Sequence, residues 1–208
     1  EIAQAEHVAL SKGKGASGGS SSSGGDGGDL LGIESATRDF RNVTGWKGKQ
    51  STDVYGRLSG ESSVLAISSN EGQKGHSLAN KIYEGSSVAV ALSSTGFYVE
   101  SGGQVDDFGM LSLSNENGDK ACIEVVGMKD VGGVLWHVGR VQSIESSHGD
   151  GNSFECGIVV ADTINAIWEV NKSRRSQISV NHSATHLFNA ALRQVVIGSS
   201  NGETINTD

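Results

Sequence analysis

ACIEVVGMKDVGGVLWHVGRV, residues 121–141, decides the fold. Two runs rich in β-branched and apolar residues, 121–128 and 134–141, flank the pair Gly132-Gly133, which reads as a turn. Working outward, the same pattern recurs. Strand-like runs stand at 64–67, 87–92, 97–100 and 110–113 upstream and at 157–161 downstream, with Asn117-Gly118 as a further turn signal. Short strands at this spacing predict a small antiparallel β-barrel. Trp136 and Trp168 are expected in its core or at an interface.

The flanks read differently. Residues 11–29 are rich in Gly and Ser, with GASGGSSSSGGDGGD at 15–29. Such a segment cannot bury enough apolar surface to order itself. The expected division is therefore a low-complexity linker or insertion with little order over 1–44, the barrel over 45–168, and the opening of a second, α/β unit over 169–208. The fold class is α+β.

That second unit begins with a helix after about Asn171. NHSATHLFNAALRQVV, residues 181–196, places Ala184, Leu187, Phe188, Ala191, Leu192 and Val195 at helical spacing. His182, His186, Asn189 and Arg193 form another stripe. The pattern predicts one side packed into a core and the other presenting imidazoles to a cavity. Two histidines one turn apart are a common half of a zinc site, although the same spacing also occurs in helices that bind no metal. The segment reads HSATH, so the Glu that serves as general base in the zinc-protease HExxH motif is missing.

TGFYVESGGQVDDFG, residues 95–109, carries Gly102-Gly103 between polar side chains. A glycine pair there serves either a plain turn or bulge, or a turn that lets a ligand approach the backbone closely. Together the two segments resemble the editing region of alanyl-tRNA synthetases. The first matches through Phe97, Tyr98, Glu100, Ser101, Gly102, Gly103, Gln104, Asp107 and Gly109. The second matches through Arg174, Arg175, Ile178, Asn181, His182, Ser183, Ala184, Thr185, His186, Leu187, Ala191, Leu192, Arg193 and Val195. The resemblance is firm over 88–198 and thin before Gly45. It departs from the family at Gly96, where a proline precedes the Phe-Tyr pair, and in lacking both a second Cys-x-x-x-His ligand pair and the class II ATP-binding motifs.

The resemblance implies hydrolysis of serine or glycine mischarged onto alanine tRNA, within a parent enzyme that ligates alanine to its tRNA. A site selecting alanine rejects glycine and serine by only ~1–3 kcal/mol, so a second hydrolytic site is the usual remedy. It implies His182 and His186 as zinc ligands and Thr185 and Gln104 as catalytic residues. Gly102, Gly103 and Arg193 would contact substrate. ATP and Mg would belong to the parent enzyme alone, and the partners would be mischarged alanine tRNA and the other synthetase domains. Neither Cys122 nor Cys156 takes over a ligand role. The segment is expected to be an internal piece of a longer protein and incomplete for catalysis. Two alternatives stand beside this reading: a free-standing alanyl-tRNA editing hydrolase, and a non-catalytic β-barrel module that docks RNA or another domain.

Composition narrows the classes further. The 208 residues carry a net charge of −8, unlike a general nucleic-acid binder. Lys172, Arg174, Arg175 and Arg193 nevertheless cluster around the histidines, either as a local basic patch that meets phosphate or as a solvated helix face. Two cysteines without CxxC spacing point to a reducing compartment, and a cytoplasmic or organellar location is expected. No run approaches the ~20 apolar residues of a membrane span. The chain holds no proline, where average usage predicts about ten.

Overall fold

The computed structural model describes residues 32–48, 50–53, 56–69, 78–101, 104–146, 152–156 and 163–200, with the backbone alone at 182 and 196–200. Among these residues the chain runs α1 (Ile33–Thr44), β1 (Ser51–Thr52), β2 (Ser59–Ser69), β3 (Lys81–Tyr83), β4 (Ser87–Leu92), β5 (Ser94–Thr95) and β6 (Gly109–Asn115). It continues through β7 (Lys120–Val131), β8 (Val134–Glu145), β9 (Ser153–Glu155), β10 (Ile164–Val170) and α2 (Lys172–Ser200).

Six of these strands close into the expected antiparallel barrel, in the order β10-β2-β4-β8-β7-β6, with β6 returning to β10. The quoted stretch is its longest hairpin. β7 and β8 pair from Lys120↔Glu145 down to Val131↔Val134, and Gly132 and Gly133 carry φ of 61° and 85°. Two consecutive positive φ values make a type I′ turn, whose twist matches that of the flanking strands. Register shifts fall at Val64/Ala66 in β2 and at Cys122/Ile123 and Val125/Gly127 in β7. Bulges of this kind bend strands enough for a small barrel to close.

The run 97–100 is not a strand. It is a loop outside the barrel ladder, for reasons that belong to the site below. The run 157–161 lies outside the described residues. β10, which the sequence reading did not identify, alternates in burial from Ile164 to Val170 and completes the barrel.

The interior is filled by Val64, Val88, Val90, Leu92, Leu111, Leu113, Ile123, Val125, Val141 and Trp168. β4 is buried on both faces, because Ala89 and Ala91 point outward into a second cluster with Trp136, Val138 and Val134. The cover over that outer face is α1, through Ile33, Ala36 and Phe40. Trp136 Nε1 donates to Thr37 Oγ1 at 2.9 Å, and that hydroxyl donates on to Ile33 O at 2.7 Å. The expectation of little order up to residue 44 therefore fails for 33–44. An amphipathic stripe at spacing i, i+3, i+7 sits directly behind the low-complexity run, and its apolar face is satisfied only by the barrel wall. Residues 1–31 lie outside the described residues.

Among the buried polar side chains, one is titratable near neutral pH. His137 is fully buried, with Nδ1 2.9 Å from Val90 O and Nε2 2.8 Å from Thr95 Oγ1. A carbonyl only accepts, so Nδ1 carries the proton and Nε2 accepts from the Thr95 hydroxyl. Thr95 Oγ1 in turn accepts from Phe97 N at 3.1 Å, and the Phe97 ring meets the imidazole edge-on. Burial lowers the His137 pKa from 6.5 to about 4. The folded state thus binds fewer protons than the unfolded state between these two values. Stability is complete above about pH 6.5 and falls as the pH drops toward 4, with a slope of up to ~1.4 kcal/mol per pH unit. His137→Gln keeps a donor and an acceptor but cannot titrate. Urea denaturation at pH 7 and 4.5 should show a smaller acid loss for that variant than for the parent chain; equal losses would mean that the buried imidazole is not the titrating group.

Candidate functional site

The loop from Gly96 to Phe108 is built on one carboxylate. Asp107 is 1% exposed, and its Oδ2 accepts from Tyr98 N at 2.7 Å. Asp107 N donates to Tyr98 O at 3.2 Å, so the two ends of the excursion are clamped together. Within it, Ser101 and Gln104 exchange backbone hydrogen bonds of 3.2 and 3.0 Å, and Tyr98 Oη donates to Ser101 O at 2.9 Å. These bonds engage the backbone of Tyr98, Ser101 and Gln104 locally. That is why a run with strand-like composition leaves the ladder. Gly102 and Gly103 lie outside the described residues.

Gly96, which stands where the resemblance expects proline, has a steric role. A Cβ there would fall 2.5 Å from Trp168 Cη2 and 2.9 Å from Arg57 O. The Trp168 indole occupies the space that a side chain at 96 would need, and Gly60 yields to the same ring from the other side.

The first turn of α2 docks on this loop. Arg175 Nε donates to Asp107 Oδ1 and Oδ2 at 2.9 Å each, and Arg175 Nη2 bonds both Oδ2 and Gly96 O, the latter at 2.7 Å. The Arg174 guanidinium lies 3.6 Å from the centroid of the Phe108 ring, and its Nε and Nη2 both reach Asp106 O at 3.3 Å. Asp106 is itself buried and accepts from Met128 N at 2.8 Å, which ties the loop to β7. Asn171 caps the helix by accepting from Arg174 N at 3.0 Å, and its own N–H donates to Phe108 O at 2.7 Å.

These contacts revise the basic-patch reading. Arg174 and Arg175 turn onto the barrel and its loop rather than outward toward phosphate, while Lys172 and Arg193 are exposed. The sequence held part of the signal in the complementary charges of Arg175 and Asp107, but a separation of 68 positions concealed the pair, and Arg174 bonds a backbone carbonyl that no side-chain pattern records.

The other expected site residues lie farther along. Positions 182 and 186 stand on the uninterrupted α2, about 10 to 16 Å beyond Arg175 at 1.5 Å per residue. Thr185 is exposed, and its hydroxyl donates to Asn181 O at 2.9 Å, leaving its oxygen lone pairs outward. Gln104 is half-buried, and its hydrogen bonds among the described residues run through its backbone to Ser101. The expected packing of the apolar stripe into a core is not observed. Among the described residues, Val180, Leu187, Phe188, Leu192 and Val195 are 44–73% exposed.

Among the described residues no cluster of three or more His, Cys, Asp or Glu is placed to hold a metal ion. Cys156 Sγ is buried and donates to Ala79 O, and burial together with the Glu155 charge pushes its pKa to about 12. Burial also raises the pKa of Cys122. Neither thiol is set up as a thiolate ligand. No described helix is long and apolar enough to cross a membrane.

Breaking a buried ion pair leaves an uncompensated buried charge or unpaired donors, at a cost of roughly 3–5 kcal/mol. Asp107→Ala should therefore lose stability of that order in urea denaturation. Arg57→Ala, which removes the exposed 3.5 Å pair with Asp53, should cost no more than about 1 kcal/mol. Similar losses for the two variants would deny the Asp107 clamp its structural role.

The comparisons with known proteins fit this architecture. The family model for tRNA synthetases class II (A) matches residues 32–156, which takes in α1 and most of the barrel and so extends well upstream of Gly45. The chain is also similar to an alanine–tRNA ligase from a Ruegeria species, 38% identical over 112 residues. That alignment covers 54% of this chain and 10% of the ligase, so the chain spans about a tenth of that relative's length.

Proposed function

We propose that this chain, which belongs to the class II tRNA synthetase (A) family, forms the junction between the barrel and the editing domain of an alanine–tRNA ligase, and takes part in hydrolysing serine or glycine from mischarged alanine tRNA. The observation that carries this reading is the docking of the first turn of α2 on the Asp106–Asp107 clamp. It joins the loop bearing Gln104 to the helix bearing His182, Thr185 and His186, the two segments that together resemble the editing region.

The reaction is cleavage of the ester between the amino acid and the terminal adenosine of the tRNA by water. Positions 182 and 186 fit half of a zinc site, one turn apart on one helix, and would hold the ion with donors from a further segment. When bound, zinc supplies a Lewis acid for the substrate amino group or for water. The chain's own residues orient and select. The Thr185 hydroxyl proton is engaged by Asn181 O, so its oxygen is left to accept a hydrogen bond, which a serine substrate offers and alanine does not. The Gln104 amide would position the ester or the terminal adenosine, and Arg193 on the exposed stripe would meet phosphate. Gly102 and Gly103 would let the backbone approach the ligand. ATP and Mg would act at the synthetic site of such a ligase, outside this segment.

The experiment is a pair of assays on a ligase carrying this segment. Gln104→Ala should slow deacylation of mischarged tRNA while aminoacylation continues, because the synthetic site lies elsewhere. One lost hydrogen bond of ~1–3 kcal/mol corresponds to roughly 5- to 150-fold in rate when it forms only in the transition state. Unchanged deacylation would exclude Gln104 from the site.

Thr185→Val is close in volume and removes the hydroxyl. Deacylation of seryl-tRNA should fall more than that of glycyl-tRNA, since only serine presents a hydroxyl to be read. Equal losses for the two substrates would assign Thr185 to packing or to the chemical step.

A further inference from the structure

We infer that Arg174 and Arg175 are positioning residues: through Asp106, Asp107 and Phe108 they set the angle at which α2 leaves the barrel, and so the place of the HxxxH face relative to the Gln104 loop. The functional half of this inference rests on the proposed editing reaction; the structural half does not. Among the described residues, the hydrogen bonds that tie α2 to the barrel and its loop lie at its start, from Asn171 to Arg175. Its apolar residues from Val180 to Val195 are exposed, whereas Arg174 and Arg175 make the side-chain hydrogen bonds that anchor it to the loop. A lever clamped at one end magnifies any error at the clamp, and the histidines sit about 10 to 16 Å along it.

The clamp is built to resist rotation. The planar Arg175 guanidinium grips both oxygens of a buried carboxylate and also reaches Gly96 O, which fixes the plane of the fork. Arg174 adds a second point by stacking on Phe108 while bonding the carbonyl one residue before Asp107. Asp106 and Asp107 are in turn held by Met128 N on β7 and by Tyr98 N at the base of the Gln104 loop. A shift of the helix would therefore shift the loop with it. Asp and Arg here act through the groups they hold and touch no reacting atom.

The direct test is the distance between spin labels in the 208-residue chain, one at Ser143→Cys on β8 and one at Asn189→Cys on α2, both exposed positions, with Cys122 and Cys156 replaced. The unaltered clamp should give one narrow distance distribution. Arg174→Gln and Arg175→Lys should each broaden or shift it while the buried Trp136 and Trp168 keep their native fluorescence. Arg174→Lys, which retains a cation over Phe108, should restore part of the order lost in Arg174→Gln. A broad distribution in the unaltered chain, or an unchanged one in both variants, would overturn the inference.

The kinetic arm uses the ligase. Arg174→Gln should lower kcat for deacylation by roughly 10- to 100-fold, the scale of an ångström-level misplacement, with KM for tRNA and the aminoacylation rate unchanged. Full deacylation in a variant whose distances have spread would refute the positioning role. If the unaltered ligase fails to deacylate mischarged tRNA, the proposed function falls, and the label distances still decide whether the arginines set the helix.

Discussion

β10 pairs with β2 along one edge and with β6 along the other, from Ile164 to Val170, and this double pairing is what makes the sheet a barrel. A sheet that ends at β6 and β2 would expose two rows of unpaired backbone groups and open the apolar interior to water. Closure gathers Val64, Val90, Leu111, Ile123 and Trp168 around one core. It also fixes where the chain emerges. Val170 N donates to Leu58 O and Asn171 N to Phe108 O, so the helix that follows starts from a defined point on the rim.

From that point a second layer of constraint is electrostatic. The rim loop 96–108 is not a strand and has no ladder to hold it; Asp107 does that work, with one carboxylate serving Tyr98 N and the Arg175 fork. Taking such a pair out of water is costly, and its worth lies in geometry more than in net stability. The packing of Trp168 against Gly60 and Gly96 belongs to the same design. The ring fills the space at the loop base that any Cβ at 96 would claim, so the glycine at this position and the tryptophan on β10 are coupled by volume.

α1 shows how a barrel wall creates demand for a cover. Strand β4 reads SVAVAL, apolar on both faces, and only one face can look inward. Ala89 and Ala91 are small enough for a helix to lie close, and Ile33, Ala36 and Phe40 supply the matching stripe. The family match begins at residue 32, the start of this cover. At the other end the match stops at 156, short of both β10 and the HxxxH helix, whose assignment rests on the motif and on the clamp.

The sequence by itself determined the elements whose signal is local. The strands β4, β7 and β8, the Gly132-Gly133 turn, the long helix after Asn171 and the family resemblance were all legible, because period, turn chemistry and motif spacing each need only neighbouring residues. Tertiary structure decided what depends on partners far along the chain. The run 97–100 has strand composition, but Asp107 and Ser101–Gln104 pairing take its backbone groups instead. β10 is read as a strand once β2 and β6 stand on both sides of it. α1 is a helix because a two-faced strand is there to bury it. Arg174 and Arg175 look in sequence like two more charges on a basic face, and become a clamp only when closure carries them across 68 residues to Asp106 and Asp107. Ion pairing and barrel closure act through space, and a periodic pattern along the chain contains no record of which distant group will be brought near.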